Sequence, residues 1–337
     1  MSPSKAIRIG VIGCGHIATE QVTKWQGAGK VRVIAGVELD GTQFARFASG
    51  FEPKPTRAGS VEELVSENPK SLDAVYIATP HVFHTAQAVA ALGAGLDVLL
   101  EKPMAFTVED ARMIERAVAD TGRTLVVSFN GSLSPGVRAA SDAVANGDFG
   151  KLRCVAGTAS ENWVALNSGH WKQDPKFSGG GFLLDCGSHL LNAVLDIAGC
   201  GLETVSARFA EISPGIEVAA VLSGKMQNGA LVSLVACGNT APPCVGELEF
   251  FFERAVLRVD PWGIRPPVVR QGPDLVEQEI NCGKERHLID FFREVCTGRI
   301  ANPSPASRNV EFARLWAATR KSAEQGGQPV RTNDMEG

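Results

Sequence analysis

Short runs of β-branched and apolar residues alternate with segments whose apolar positions recur every three or four residues. This rhythm organises the first 130 positions. Ile7 to Ile12 reads as a strand and His16 to about Ala28 as a helix. A strand over Val31 to Val37 is followed by a helix over Gly41 to Gly50. A helix over Val61 to Glu67 precedes a strand at Ala74 to Ala78, and one over His81 to Ala94 precedes Val98 to Leu100. A helix over Val108 to Thr121 leads to Leu125 to Phe129. Strands and helices alternating at this spacing predict right-handed crossovers and a parallel sheet.

The character changes after Asn130. A helix over Pro135 to Asn146 leads to a strand at Leu152 to Ala159. Further strands read at Thr204 to Ile212, Val218 to Met226, Ala230 to Ala236, Glu247 to Phe252 and Ala255 to Val259. Asn228-Gly229 between two such runs signals an antiparallel hairpin. Helices over Arg286 to Cys296 and Val310 to Glu324 close the chain. The predicted architecture is α/β: a nucleotide-binding parallel-sheet domain over residues 1–130, then an α+β domain over 131–337 with a largely antiparallel, open-faced sheet. Exposed apolar strands on such a face call for a partner, so a homodimer or homotetramer is expected.

Bulk properties narrow the classes. At 337 residues two domains are natural. The chain is 44% apolar and 21% charged, ordinary for a globular protein. A net charge of −4 argues against nucleic acid as the main partner. No apolar run is long enough to cross a bilayer, and residues 1–5 lead straight into a strand without a visible secretory leader. Eight scattered cysteines show no C-x-x-C pair and no metal spacing, which reads as reduced core thiols in a cytoplasmic protein.

Four groups of residues carry candidate chemistry. Gly13-Cys14-Gly15-His16-Ile17-Ala18 fits G-x-G-x-x-A between a strand and a helix, the dinucleotide fingerprint. Its helix N-terminus offers amides and partial positive charge to phosphates. Glu38 ends the next strand, where an acid takes the adenosine ribose hydroxyls and repels a 2′-phosphate. Leu39 offers no arginine to balance one, so NAD is expected over NADP. Asp40 reads as a helix cap. Lys102, in Glu101-Lys102-Pro103, sits beyond the carboxyl end of a parallel strand, where ligands gather in such sheets. The fourth group is Gly179-Gly180-Gly181 leading to Asp185 and His189. The glycines let the chain pass tightly under a bound molecule. The acid and the imidazole, four apart, would share one face of a helix, and histidine exchanges protons near neutral pH. A metal site there lacks a third ligand. Asn162, Trp163, His170, Trp171 and Lys172 cluster just upstream and suit a sugar pocket.

These motifs, in this order, resemble the Gfo/Idh/MocA family of oxidoreductases. The matching positions are Gly13, Gly15 and Ala18; Ala78-Thr79-Pro80 with His84; Glu101-Lys102-Pro103; Phe129-Asn130; Trp171; and Gly179-Gly180-Gly181 leading to Asp185, Gly187 and His189. The resemblance implies a catalytic set of Lys102, Asp185 and His189, between a Rossmann domain and an open-faced sheet. It also implies Thr79, Pro80 and His84 along the nicotinamide half of the cofactor, Glu101 on the nicotinamide ribose and Asn130 near the ring. His16, Ile17 and Lys102 would contribute to the cofactor site; Trp163, Trp171 and Lys172, with the catalytic set, to substrate. Many relatives carry an acid three residues after the histidine, where this chain has Asn192, and basic or aromatic residues after the asparagine, where it has Gly131-Ser132. A less charged pocket is implied on that side, with Asp196 read as a surface residue.

The implied reaction is reversible oxidation of a secondary alcohol on a sugar, inositol or related polyol. Hydride goes to nicotinamide, the proton to His189, and Lys102 steadies the oxygen. Two alternatives stand beside it: an NAD-dependent glycosidase or eliminase working through transient oxidation, and a non-catalytic nucleotide-sensing subunit.

Overall fold

The structure is a computed structural model that describes residues 5–68, 70–241, 243–272, 276–284 and 286–336. Of the leaderless start expected at residues 1–5, residues 1–4 lie outside the described residues. The chain forms two compact units. One comprises Met1–Met104, Asp110–Ser128 and Arg286–Ala306; the other comprises Ala105–Glu109, Phe129–Glu285 and Ser307–Gly337.

The first unit holds a six-stranded sheet: β1 (Ile7–Ile12), β2 (Val31–Val37), β3 (Thr56–Ala58), β4 (Ala74–Ile77), β5 (Asp97–Leu100) and β6 (Leu125–Val127). Their spatial order is β3-β2-β1-β4-β5-β6 and each pairing is parallel. This is the doubly wound arrangement whose strand order reverses beside β1. β1 is almost wholly buried and β4 entirely so, as expected for strands covered on both faces. The short edge strand β3 was not foreseen, since only Ala58 of its three residues is buried. The helix Leu288–Cys296 belongs to this unit. Its Asp290 pairs with Lys30 at 2.6 Å, and Arg293 Nη2 donates to the Lys30 carbonyl at 2.6 Å.

The second unit holds β7 (Leu152–Ser160), β8 (Leu202–Ser213), β9 (Ile216–Met226), β10 (Leu231–Cys237), β11 (Val245–Phe252), β12 (Ala255–Val259), β13 (Val268–Gln271), β14 (Val276–Glu279) and β15 (Val330–Arg331). Their order is β14-β13-β12-β11-β7-β10-β9-β8-β15. The sheet is mostly antiparallel, and Asn228-Gly229 makes the β9–β10 hairpin, with Gly229 at φ +88°. The β7–β10 pair is parallel, and four α-helices and the β8–β9 hairpin separate these strands in the chain, the long connection such a pairing needs. Alternate residues of β10 are exposed and buried, leaving Leu231 and Val235 on the open face opposite Lys225 and Val221 of β9. The cysteines are free thiols; only Cys14 is buried and Cys244 is exposed, so most are not the core thiols expected.

Candidate active site

In the first unit β1 runs into Gly13, whose φ is +82°. A Cβ there would meet Thr79 Cγ2 at 2.7 Å and the Ala78 carbonyl at 2.9 Å, so glycine is required. A Cβ at Gly15 would meet nothing within 4 Å, so the backbone is open on that side. The helix His16–Gly27 starts with no side-chain cap and no acid in its first turn. Its leading amides therefore keep the partial positive charge that suits an anion. His16 and Ile17 are exposed on that turn. Glu38 Oε2 accepts from the Cys14 amide and Oε1 from the Asp40 amide, each at 3.1 Å, tying the end of β2 to the glycine loop. Asp40 caps the helix Gly41–Ala48 through the Thr42 and Gln43 amides, as read from the sequence. A tight turn, an open approach, uncapped helix amides and an acid at the end of β2 fit a dinucleotide.

The ends of β4 and β5 are braced from below. His84 is fully buried, with Nδ1 2.9 Å from the Pro103 carbonyl and Nε2 2.9 Å from the Thr79 carbonyl. Its ring thus links the turn holding Thr79 and Pro80 to the one holding Lys102. Burial pushes its pKa down to about 4, against the pull of the two carbonyls; the nearby Lys102 charge lowers it further. Neutral imidazole has one N–H, so one carbonyl receives the proton and the other faces a bare nitrogen. Tyr76, also buried, donates to Glu101 Oε1 at 2.6 Å, and the Lys102 amide approaches Glu101 Oε2 at 3.3 Å. Burial and the Glu101 charge hold the Tyr76 hydroxyl well above its usual range. Glu101 and Lys102 are half-buried.

In the second unit Asp185 is only 2% exposed. Trp163 Nε1 donates to its Oδ2 at 2.8 Å and Lys172 Nζ lies 2.7 Å from the same oxygen. Trp163 is wholly buried, so it joins the cluster through its N–H instead of offering a ring face. Trp171 and Lys172 are half-buried on a short turn, and the exposed His170 packs its ring on Trp171 at 5.4 Å. Burial lowers the His170 pKa, with Lys172 adding to the effect and Asp185 opposing it. His189 is buried, edge-on to Phe129 at 5.6 Å and tilted on Trp262 at 5.7 Å. Asn130 beside Phe129 is exposed.

Three expectations need correction here. Asp185 and His189 do not share one helix: Asp185 ends the helix Phe182–Asp185, and His189 follows a break at Cys186-Gly187 in the helix Ser188–Ala198. The need for glycine in this run comes from the protein itself, which fills the side where a Cβ would stand. A Cβ would strike the Phe106 ring at Gly179 (2.3 Å), Trp316 at Gly180 (2.7 Å) and the Glu217 carbonyl at Gly181 (2.0 Å). Asp196 is buried, not on the surface. It pairs with Arg308 at 2.6 Å and with Arg138, and accepts from Ser132 Oγ at 2.6 Å, which in turn accepts from Asn192. Asn192 and Ser132 thus complete a buried network whose charge sits one helical turn further on.

Two supporting residues escaped the sequence reading. Tyr76, the chain's sole tyrosine, reads only as an aromatic strand residue. Glu217 is 2% exposed and accepts from the Gly181 amide at 2.7 Å and the Leu184 amide at 3.2 Å, capping the helix that ends in Asp185. An acid between Ile216 and Val218, inside a strand, was its only signal. Burial pushes its pKa up to about 7, with the backbone amides opposing.

Comparison with known proteins follows the same division. Residues 7–129 match the family model described as an oxidoreductase family with an NAD-binding Rossmann fold. Residues 137–258 match the GFO/IDH/MocA C-terminal domain. A 1-carboxy-3-chloro-3,4-dihydroxycyclohexa-1,5-diene dehydrogenase of Comamonas testosteroni is 32% identical over 149 residues, 44% of this chain and 37% of that protein. A 1,5-anhydro-D-fructose reductase of Ensifer adhaerens is 33% identical over 184 residues, 54% of each. The chain thus spans about half or less of these relatives' lengths. An oxidoreductase domain protein from Kribbella flavida has the same fold, with TM-score 0.86 at 21% identity, over 97% of this chain and 99% of that one.

Proposed function

The chain belongs to the Gfo/Idh/MocA family of oxidoreductases, and on that footing we propose that it oxidises, reversibly, a secondary alcohol of a sugar, inositol or related polyol. Relatives named as a 1,5-anhydro-D-fructose reductase, a D-xylose 1-dehydrogenase and a D-glucoside 3-dehydrogenase support a carbohydrate substrate. The observation that carries the reading is the buried Asp185 held by Lys172 and Trp163, one helix break before His189. A buried carboxylate anchored by a tryptophan N–H and a lysine is fixed in position, which is what a group that orients an imidazole or a substrate hydroxyl needs.

NAD supplies the hydride acceptor when bound, with NADP the less favoured carrier. Gly13, Gly15, His16 and Ile17 would hold its phosphates and Glu38 its adenosine ribose. Thr79, Pro80, His84, Glu101 and Asn130 would support the nicotinamide half, His84 by bracing the Thr79 and Pro103 carbonyls. His189 takes the proton of the substrate hydroxyl. Lys102 donates a hydrogen bond to that oxygen and stabilises its developing negative charge. Asp185 holds a neighbouring hydroxyl or orients His189, and Lys172 and Trp163 fix Asp185; Trp171 borders the same turn. The open face of the second sheet, with exposed Val221, Leu231, Val235 and Val245, buries against a second copy. Light scattering that returns a monomer would remove that part.

The test is a panel of inositols, aldoses and glycosides with NAD and with NADP, read as reduced nicotinamide. With the substrate found, Lys102→Met and His189→Ala should each lose about 10²–10⁴ in turnover, the usual worth of a positioned proton-transfer group, while still binding NADH. Unchanged turnover in either variant refutes its assignment.

A further inference from the structure

The turn after Glu38 carries more charge than ribose binding requires. Arg57 reaches it from β3, the edge strand beside β2, where it is in register with Gly36. Its Nε donates to the Glu38 carbonyl at 2.8 Å and its Nη2 to the Leu39 carbonyl at 2.5 Å. Its Nη1 lies 3.2 Å from where a Cβ on Gly41 would stand. The guanidinium therefore spans residues 38–41, exposed to solvent, with backbone carbonyls and no carboxylate as its bonded partners among the described residues. The Glu38 carboxylate is turned to the Cys14 and Asp40 amides instead. A guanidinium and a carboxylate thus flank one turn, each bonded to backbone groups and with no ion pair between them among the described residues.

We propose that Arg57 is the cation that receives a 2′-phosphate at this turn, so that Glu38 and Arg57 together grade the preference for NAD over NADP. The inference rests on the dinucleotide reading of the Gly13–Ala18 loop. A phosphate monoester carries close to two negative charges near neutral pH. Glu38 repels it, and the forked donors of an arginine match its oxygens. With only the acid present, rejection would be steep. With Arg57 beside it, the penalty is partly offset and NADPH binds weakly instead of being excluded. No arginine needs to follow Glu38 in the chain, because the neighbouring strand delivers one. Glycine at position 41 keeps the space beside Nη1 clear.

The experiment is equilibrium binding of NADH and NADPH to the full chain, followed by nicotinamide fluorescence, for wild type, Arg57→Ala, Arg57→Lys, Glu38→Gln and the Glu38→Gln/Arg57→Ala pair. Arg57→Ala should weaken NADPH about tenfold, the size of one charge-assisted hydrogen bond, and NADH by less than about threefold. Arg57→Lys should keep part of the NADPH affinity, since charge survives while the fork is lost. Glu38→Gln should tighten NADPH, and adding Arg57→Ala should remove that gain. Arg57 is exposed, so its variants should fold, which a thermal melt checks. Equal weakening of both nucleotides by Arg57→Ala would make Arg57 only a brace for the turn and overturn the proposal. So would NADPH binding that is indifferent to Arg57, or that never appears even in Glu38→Gln. A wild-type chain that binds neither nucleotide overturns the dinucleotide reading as well.

Discussion

Glu217→Gln should make the second unit relatively more stable at alkaline pH than at acid pH. The native carboxyl is pushed from about 4.5 up to about 7, first by burial, with the Gly181 and Leu184 amides opposing. Between those values the native state holds a proton that the unfolded chain has released. Stability then falls as pH rises through this window, and the loss is complete above the native value. A gap of about 2.5 pH units at 1.36 kcal/mol per unit comes to about 3 kcal/mol. At pH 5 the native side chain is a neutral carboxyl, close in shape and charge to glutamine, so variant and wild type should differ little. At pH 8 wild type carries the cost of a buried charge and glutamine does not. Four of the five tryptophans, at positions 163, 171, 262 and 316, lie in the second unit, so urea unfolding read by tryptophan fluorescence reports mainly on it. The quantity to follow is variant stability minus wild-type stability at pH 5 and pH 8, in which other titrating groups cancel. It should rise by about 2–3 kcal/mol. A difference that stays flat, or that favours wild type at pH 8, would show that the two amides outweigh burial and would refute the argument.

His84 should act with the opposite sign in the other unit: its pKa is pushed down to about 4, so stability is lost as pH falls from about 6.5. His84→Gln should flatten that acid limb in calorimetric scans from pH 7 to pH 4.5, and an unchanged limb would contradict the assignment; wild type alone can look level because Glu217 gains there. Tyr76→Phe removes the buried donor to Glu101, which should cost about 1–2 kcal/mol and weaken NADH binding severalfold; a binding curve like wild type would mean Glu101 needs no brace. Gly181→Ala sets a Cβ 2.0 Å from the Glu217 carbonyl, so the strand or the glycine run must move. A loss of at least about 1–3 kcal/mol is expected, with turnover falling further than NADH affinity, and an undisturbed melting temperature would count against that contact.

Local signals made much of the molecule legible. β1 and β4 read as continuous apolar runs because both faces are covered, and the Asn228-Gly229 hairpin because Gly229 adopts a positive φ. The short strand β3 and the mostly exposed β14 carry little apolar pattern, so periodicity could not announce them. Asp185 and His189 were visible as residues, yet their helix is broken at Cys186-Gly187, where the chain packs so closely that a Cβ on Gly187 would stand 2.8 Å from the Leu183 backbone.

The amino-acid order alone determined the alternation of strands and helices, the glycine turn at residue 13 and the residue types at the candidate site, because each depends on neighbours a few positions away. Tertiary structure decided what those residues touch. Arg57 meets the Glu38 turn only because β3 pairs with β2, and Glu217 caps the Asp185 helix across 36 positions because β9 runs beneath the glycine run. Asp196 is a buried ion-pair centre because Arg138 and Arg308, 58 and 112 positions away, fold onto it. Such contacts depend on distance in space, and no period along the chain encodes them.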